Sequence, residues 1–288
     1  MTEKTDQSRI LREIQRIPDL PTLPTVAQRI NEAMQDPTTS AQDIGEIISH
    51  DPSLSAKTLK IVNSAFYGFP KQITSVTRSI VILGFNKVKS IALTTAIIGG
   101  LKRTSNNGFD FYQFWEHSLA VAIAAERSAH ELGLKVEEDA FVAGLLHDIG
   151  KVVISQFLEK EFSEITELVI KDDLTMAQAE MEIMGVDHSR IGKWLAERWN
   201  FPQNIIVPIW RHHKPDLATE ARELTHVVHL ADLIVRALGI GSGGDNNMPK
   251  ISESTWDHFY LNGDLLKQLC DSTLQGIEKG EAFFALIR

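Results

Sequence analysis

Apolar residues recur along this 288-residue chain with the spacing of helices rather than strands. In TVAQRINEAM the residues Val26, Ile30 and Met34 repeat every four positions, and AQDIGEIISH places Ile44, Ile47 and Ile48 on one side. Apolar groups three and four apart line one face of a helix, whereas a half-buried strand alternates. Long alternating runs are absent, and β-branched stretches such as SIVILG are short. The periodic segments are long and the breaks between them brief, which predicts an all-α protein.

The breaks have physical causes. PDLPTLPT (residues 18–25) carries three prolines and reads as extended, with Thr22 or Thr25 placed to cap the next helix. Ser40 lies three residues before Asp43, a helix-start pattern. Asp51 followed by Pro52 fits an N-cap and a first helical position. NSAFYGFPKQITS (63–75) reads as a packed connector, because Phe66, Tyr67 and Phe69 are too apolar to leave in water. It is expected at the joint between two halves of the protein. The polar, turn-rich KRTSNNGFD (102–110) marks the candidate boundary. It divides an N-terminal helical bundle (1–105) from a second helical domain (106–288). A later stretch, GIGSGGDNNMPKISEST (239–255), reads as a mobile loop.

Composition narrows the function classes. A hydrophobic content of 43% supports a real core, and the net charge of -9 makes a general nucleic-acid binder unlike this chain. The single cysteine, Cys270, cannot form an internal disulfide and favours a reducing compartment. The opening MTEKTDQSRI has no apolar signal-peptide core. No apolar run stands out near the ~20 residues a membrane helix needs. The expectation is a soluble, cytoplasmic protein with no membrane partner.

The histidines add chemistry. His117 lies in the apolar helix pattern FWEHSLAVAIAAE, and His147 and Asp148 are adjacent in GLLHDIGK. His188 sits in GVDHSRIGKW, His212 and His213 form the pair in IWRHHKP, and Asp232 lies within VVHLADLIVRAL. Histidine and aspartate together bind zinc, manganese or iron. Adjacent helical residues point about 100° apart, so His147 and Asp148 reach one point only near a helix kink or end. Gly144 and Gly150 bracket the pair and permit close approach. Asp148 could then bridge two metals, which together activate a water and neutralise a phosphoryl group. Lys151 shares the helix face of Asp148 and suits a phosphate oxygen. Each residue alone also has a bland reading as a buried, hydrogen-bonded group or a solvated helix end. Asp232 is the least comfortable there, since a lone buried carboxylate is costly.

HDIGK, with His117 upstream and Asp232 downstream, resembles the HD superfamily of metal-dependent phosphohydrolases. LPTLPTVAQRI, ISHDPSLSAKTLKIVNSAFYG and ITSVTRSIVILGFNKVKSIAL resemble the HDOD family, the HD-related output domain of bacterial signalling proteins, over roughly residues 10–235. The resemblance implies an N-terminal helical bundle packed on an HD-type helical core. It implies His117, His147, Asp148 and Asp232 as metal ligands, with His188, His212 and His213 matching the further histidines of HD-GYP phosphodiesterases. The chain has Gln113 where that group places a glutamate, and KPDLATEA after the histidine pair has no GYP element. Cyclic-di-GMP hydrolysis is therefore not implied.

Three functions follow as alternatives. The first is a regulatory module holding one or two divalent ions, with a signalling protein or a small nucleotide as partner. The second is an active phosphohydrolase, with Asp148 holding the metals and Lys151 steadying the phosphate. The third is a metal-free interaction bundle. The expected geometry is that His117, His147, Asp148 and Asp232 surround one metal-sized point, with His229, one turn before Asp232, beside it.

Overall fold

The computed structural model describes residue 10 and residues 22–36, 38–101 and 108–287, and all regular structure among them is helical. The N-terminal half contains α1 (Thr25–Gln35), α2 (Ala41–Ser49), α3 (Pro52–Val62), α4 (Val76–Leu83) and α5 (Phe85–Gly100). Side chains supply most of the starts. Ser40 and Asp43 form a reciprocal capping box at α2, Asp51 accepts from the Leu54 amide at α3, and Ser75 accepts from the Arg78 amide at α4. The expected threonine cap of α1 is not realised. Thr25 is already the first helical residue, and the extended Pro24 precedes it with no side-chain bond. Gly84, at φ 90°, turns the chain between α4 and α5.

The C-terminal half is built around the 21-residue α6 (Phe111–Glu131). It continues through α7 (Glu137–Leu146), α8 (Gly150–Phe157), α9 (Glu159–Asp172), α10 (Met176–Met184), α11 (His188–Arg198) and α12 (Gln203–Arg211). A short 3-10 turn, Pro215–Leu217, leads to α13 (Arg222–Ala237), α14 (Glu253–His258), α15 (Gly263–Lys279) and α16 (Glu281–Phe284). Helices α7, α13 and α15 pack around α6, and α5 reaches across to α7. Ala120, Val121, Ala122, Ile123, Ala124 and Ala125 of α6 are all fully buried, so this helix is covered on every side.

Residues 102–107 of the expected boundary lie outside the described residues. The apolar core runs without a break from Leu23 to Ile287. Phe66 meets Phe283 edge-on at 5.3 Å, and Tyr67 and Phe69 are half-buried beside it. Lys87 of α5 pairs with Glu126 of α6, a buried carboxylate. Among the described residues one segment, Glu137–Phe157, has the length and apolarity of a membrane span, where the sequence expectation is that no run approaches that length. It comprises α7, the His147–Asp148 turn and α8, and 89% of its apolar window is buried inside the fold.

Two glycines fix the helix spacing at that turn. A Cβ on Gly144 would lie 2.9 Å from the Val121 carbonyl oxygen of α6. One on Gly150 would overlap the His188 carbonyl oxygen and lie 2.8 Å from the Gly192 amide nitrogen of α11. Both obstacles are backbone, which cannot swing aside. Gly150→Ala is therefore expected to cost about 2–3 kcal/mol or more, as overpacking does. Gly99→Ala, whose Cβ would meet only the Lys57 ammonium at 3.7 Å, should be neutral or stabilise by up to ~1 kcal/mol. Urea unfolding midpoints of the two variants check this, and equal midpoints would refute it.

Candidate metal centre

Each candidate ligand sits where its helix places it. His147 ends α7, and Asp148 lies in the tight turn before α8, where the Lys151 amide donates to the Asp148 carbonyl at 2.9 Å. The break in the helix lets both side chains face one region. His117 comes from the middle of α6 and Asp232 from the middle of α13. His188 opens α11, and His212 and His213 follow the end of α12. All are buried except His213, which is half-buried.

The structure brings these seven residues together around Asp148. Oδ2 of Asp148 lies 3.3 Å from His147 Nε2 and 3.9 Å from His117 Nε2. Oδ1 lies 2.9 Å from His188 Nε2 and 3.7 Å from His212 Nε2. His213 Nε2 is 2.9 Å from His188 Nε2. Asp232 Oδ1 lies 3.1 Å from His117 Nε2 and 3.8 Å from His147 Nε2. Two donor sets result, His117–His147–Asp148 and Asp148–His188–His212–His213, each with its ligand atoms within 4.8 Å of one another. Ligands 2.0–2.3 Å from a common ion are at most roughly 4.6 Å apart, so both sets come within a few tenths of an ångström of the dimensions of a metal site. Asp148 belongs to both.

The ring orientations fit the same purpose. His147 Nδ1 donates to the Gly144 carbonyl at 2.7 Å, and His212 Nδ1 to the Ile209 carbonyl at 2.9 Å. Both Nε2 atoms then carry lone pairs that point into the cluster. This is the arrangement that fixes a histidine ligand's tautomer. Both Nε2 atoms, both ring nitrogens of His117 and Asp148 Oδ1 are buried with no aligned hydrogen-bond partner. Such orphaned atoms are rare in native interiors, and a divalent cation would satisfy several at once.

Electrostatics favours neutral imidazoles and ionised carboxylates. Burial pushes the His212 pKa down to about 3, reinforced by His147. Burial, with His212 and His188, holds His213 well below its ordinary range, and burial lowers His117 against the pull of Asp232. For Asp148, burial opposes ionisation, but His147, Lys151 and His188 outweigh it and hold the carboxyl well below the usual range. Asp232 behaves alike, through Arg236 and His117. His188 is the exception. Burial disfavours its proton, but Glu180 and Asp148 on either side raise it to about 9.

Three findings depart from the sequence expectations. Lys151 faces Asp148 instead of an open cleft: it is fully buried, and its ammonium donates to Oδ2 at 2.6 Å. The stretch 239–255 is not a free loop. The Ser242 amide donates to the Gln113 carbonyl, and Gly241 (φ 62°) lies so close to α6 that a Cβ would overlap the His117 amide. Buried Gly243 sits over Lys151, where a Cβ would be 3.2 Å from Nζ. The glycines allow a tightly laid strap, not mobility. Asp245 pins it, accepting from Arg236 at 2.9 Å and from the Met176 amide at 2.9 Å. Gly150 accommodates backbone of α11 and not a ligand.

Sequence reasoning also missed Glu180, which accepts from the amide and Nδ1 of His188 at 2.6 Å each. Nothing in MAQAEMEIM singles it out. Arg236 was findable, four residues after Asp232 on one helix face, and it binds Asp232 Oδ1 at 3.0 Å. His229 lies one step outside the cluster, where its Nδ1 donates to the His212 carbonyl at 2.7 Å and its Nε2 accepts from the Ser252 amide.

The comparisons with known proteins agree with this architecture. The HDOD domain profile matches residues 20–215. The structure superposes on an HDOD domain protein of unknown function from Geobacter sulfurreducens with a TM-score of 0.83, at 27% identity and 98% coverage of both chains. A protein from Shewanella amazonensis SB2B, provisionally named a phosphohydrolase, superposes with a TM-score of 0.74 at 22% identity over 97% of this chain and 98% of that one, a likeness of fold. An uncharacterised protein of Treponema pallidum is 26% identical over 268 residues, 92% of this chain. The chain spans about half the length of that relative, 51%. With the profile covering more than half of its length, the chain belongs to the HDOD domain family.

Proposed function

We propose that this chain is a regulatory, signal-transducing HDOD module whose Asp148 cluster holds one or two divalent ions as an enclosed centre. Iron, manganese and zinc suit its mix of imidazole and carboxylate donors. The observation that carries this reading is enclosure. His117, His147, Asp148, His188, His212 and Asp232 are buried, Lys151 is committed to Asp148, and strap 239–250 covers that side, so that the cluster meets solvent only through the half-buried His213. A catalytic metal keeps an open position for substrate, whereas a structural one is closed. A bound ion would supply positive charge among the carboxylates and a common partner for the orphaned imidazole nitrogens. Its partner would be a signalling protein or a small nucleotide.

A phosphohydrolase is the second reading, and one observation favours it. Asp148 is shared by two donor sets, as in centres that act on phosphoesters with paired metals. A metal-free interaction bundle is disfavoured by the orphaned buried ring nitrogens.

Elemental analysis of the purified protein tests the metal directly, and thermal unfolding tests its role. Asp148→Ala alone is a poor probe, because it strands the buried Lys151 charge and destabilises the fold by about 3–5 kcal/mol whether or not a metal binds. The double variant Asp148→Asn, Lys151→Met removes both charges. Chelation should lower the Tm of the parent protein, and metal should restore it, since binding to the folded state is folding free energy. The double variant's Tm should not respond. A protein with no metal and an unresponsive Tm would sink the proposal.

Proton release provides a second check. His188 is raised to about 9, so in the metal-free protein it is charged at neutral pH and contributes stability that is present below its ordinary pKa of about 6.5. That contribution fades as pH rises through 9. A metal ligand must be neutral, so binding near pH 7.5 should release about one proton, and apparent affinity should rise towards pH 9. Calorimetric titrations in two buffers of different ionisation enthalpy measure the proton count, and zero release would exclude His188 as a ligand.

A further inference from the structure

The strap and the packed helices close most approaches to the cluster, but one side opens. A groove of about 150 Å³ is lined by Asp187, Arg190, Trp210, Arg211, His213 and Lys214, with Met181 at its edge. His213 is the half-buried member of the candidate cluster, so this groove meets the cluster's solvent side. It lies on the Oδ1 side of Asp148, through His213 and His188, while Lys151 and the strap lie on the Oδ2 side.

Its charge is unbalanced. Arg190, Arg211 and Lys214 bring three cations, and among the described residues none forms an ion pair with a carboxylate. Asp187 is the one carboxylate in the lining. It caps α11, accepting from the Ser189 hydroxyl at 2.6 Å and the Arg190 amide at 3.1 Å, and its charge reaches Arg211 without forming an ion pair, so it offsets only one of the three cations. The Arg211 guanidinium lies 3.4 Å from the Trp210 ring centroid, and Lys193 sits 5.0 Å from the same ring. Stacking of this kind holds a guanidinium in place without neutralising it, leaving its in-plane donors for a forked partner. Two arginines and a lysine gathered around one groove give it a local positive potential that attracts an anion. Forked guanidinium donors match phosphate oxygens in spacing.

We infer that this groove binds the phosphate end of a small anionic ligand. The volume is on the order of five water molecules, which fits a phosphate or diphosphate group and leaves any larger part of the ligand outside, against Trp210 and Met181. The inference rests on the proposed regulatory centre only for its consequence, that a ligand held at His213 is felt at Asp148. Binding itself depends on the groove alone.

Isothermal titration of inorganic pyrophosphate into the full chain, freed of metal by chelation and dialysis, tests it. The double variant Arg190→Gln, Arg211→Gln alters exposed and half-buried side chains, and an unchanged Tm confirms that it folds. Lys160→Gln, Lys171→Gln on α9 removes the same charge from exposed side chains outside the groove's lining. The expected result is saturable binding to the chelated parent, at least tenfold weaker in the groove variant and within twofold of the parent in the α9 variant. No binding at millimolar pyrophosphate would overturn the inference, as would equal losses in both variants, which would mark a general charge effect. Absence of metal in the purified protein would remove the regulatory centre yet leave the chelated titration able to decide the groove.

Discussion

Backbone contact between Gly150 and the first turn of α11 is the constraint on which the centre depends. A side chain there would wedge α8 away from α11 and carry His188 away from Asp148. Gly144 does the same work against α6, on the side from which His117 arrives. The two glycines that bracket His147 and Asp148 therefore set the distances on both flanks of one carboxylate. Interiors pack like solids, so a wedge of one methyl group is not absorbed locally. It is transmitted to whichever helices touch.

That tight packing creates an electrostatic demand, met by two chains in which acidic groups alternate with cations or imidazoles. One runs from Glu180 through His188 and Asp148 to Lys151. The other runs from His117 through Asp232 and Arg236 to Asp245. Every buried carboxylate in them has a cationic or imidazole neighbour, as low-dielectric burial requires. The second chain ends on the strap, since Asp245 also accepts from the Met176 amide at the start of α10. Covering the centre and neutralising Asp232 are thus parts of one network, with Arg236 common to both.

Much of this was legible in the sequence. The helical class followed from apolar spacing, and the starts of α2 and α3 followed from Ser40–Asp43 and Asp51–Pro52, because caps act within four residues. The seven candidate ligands could be gathered as a set by chemical type and by likeness to known motifs. Their convergence was expected only through that likeness, since the pairs that meet lie in different helices and periodicity does not relate them. Glu180 stayed hidden for the same reason: its partner comes from another helix, and its own segment is unremarkable. The strap was misread because four glycines near two asparagines look the same whether the freedom serves mobility or close approach. Only the neighbours of Gly241 and Gly243 distinguish the two. Gly150 was legible as a place of close approach, but what approaches, the backbone of α11 against a missing Cβ, is set by a partner far along the chain.

Enclosure also decides which chemistry the centre suits. Asp148 has no oxygen free of protein neighbours: Oδ2 holds Lys151, and Oδ1 faces His188 and His212. An incoming ion must compete with Lys151 for one oxygen, and at Asp232 with Arg236 for another. Competition at Arg236 bears on Asp245 and so on the seating of the strap, which links occupancy of the centre to the surface that covers it. Under the proposed function the pairs Lys151–Asp148 and Arg236–Asp232 rearrange when an ion binds, and the strap, held through Asp245, is where that change reaches the surface.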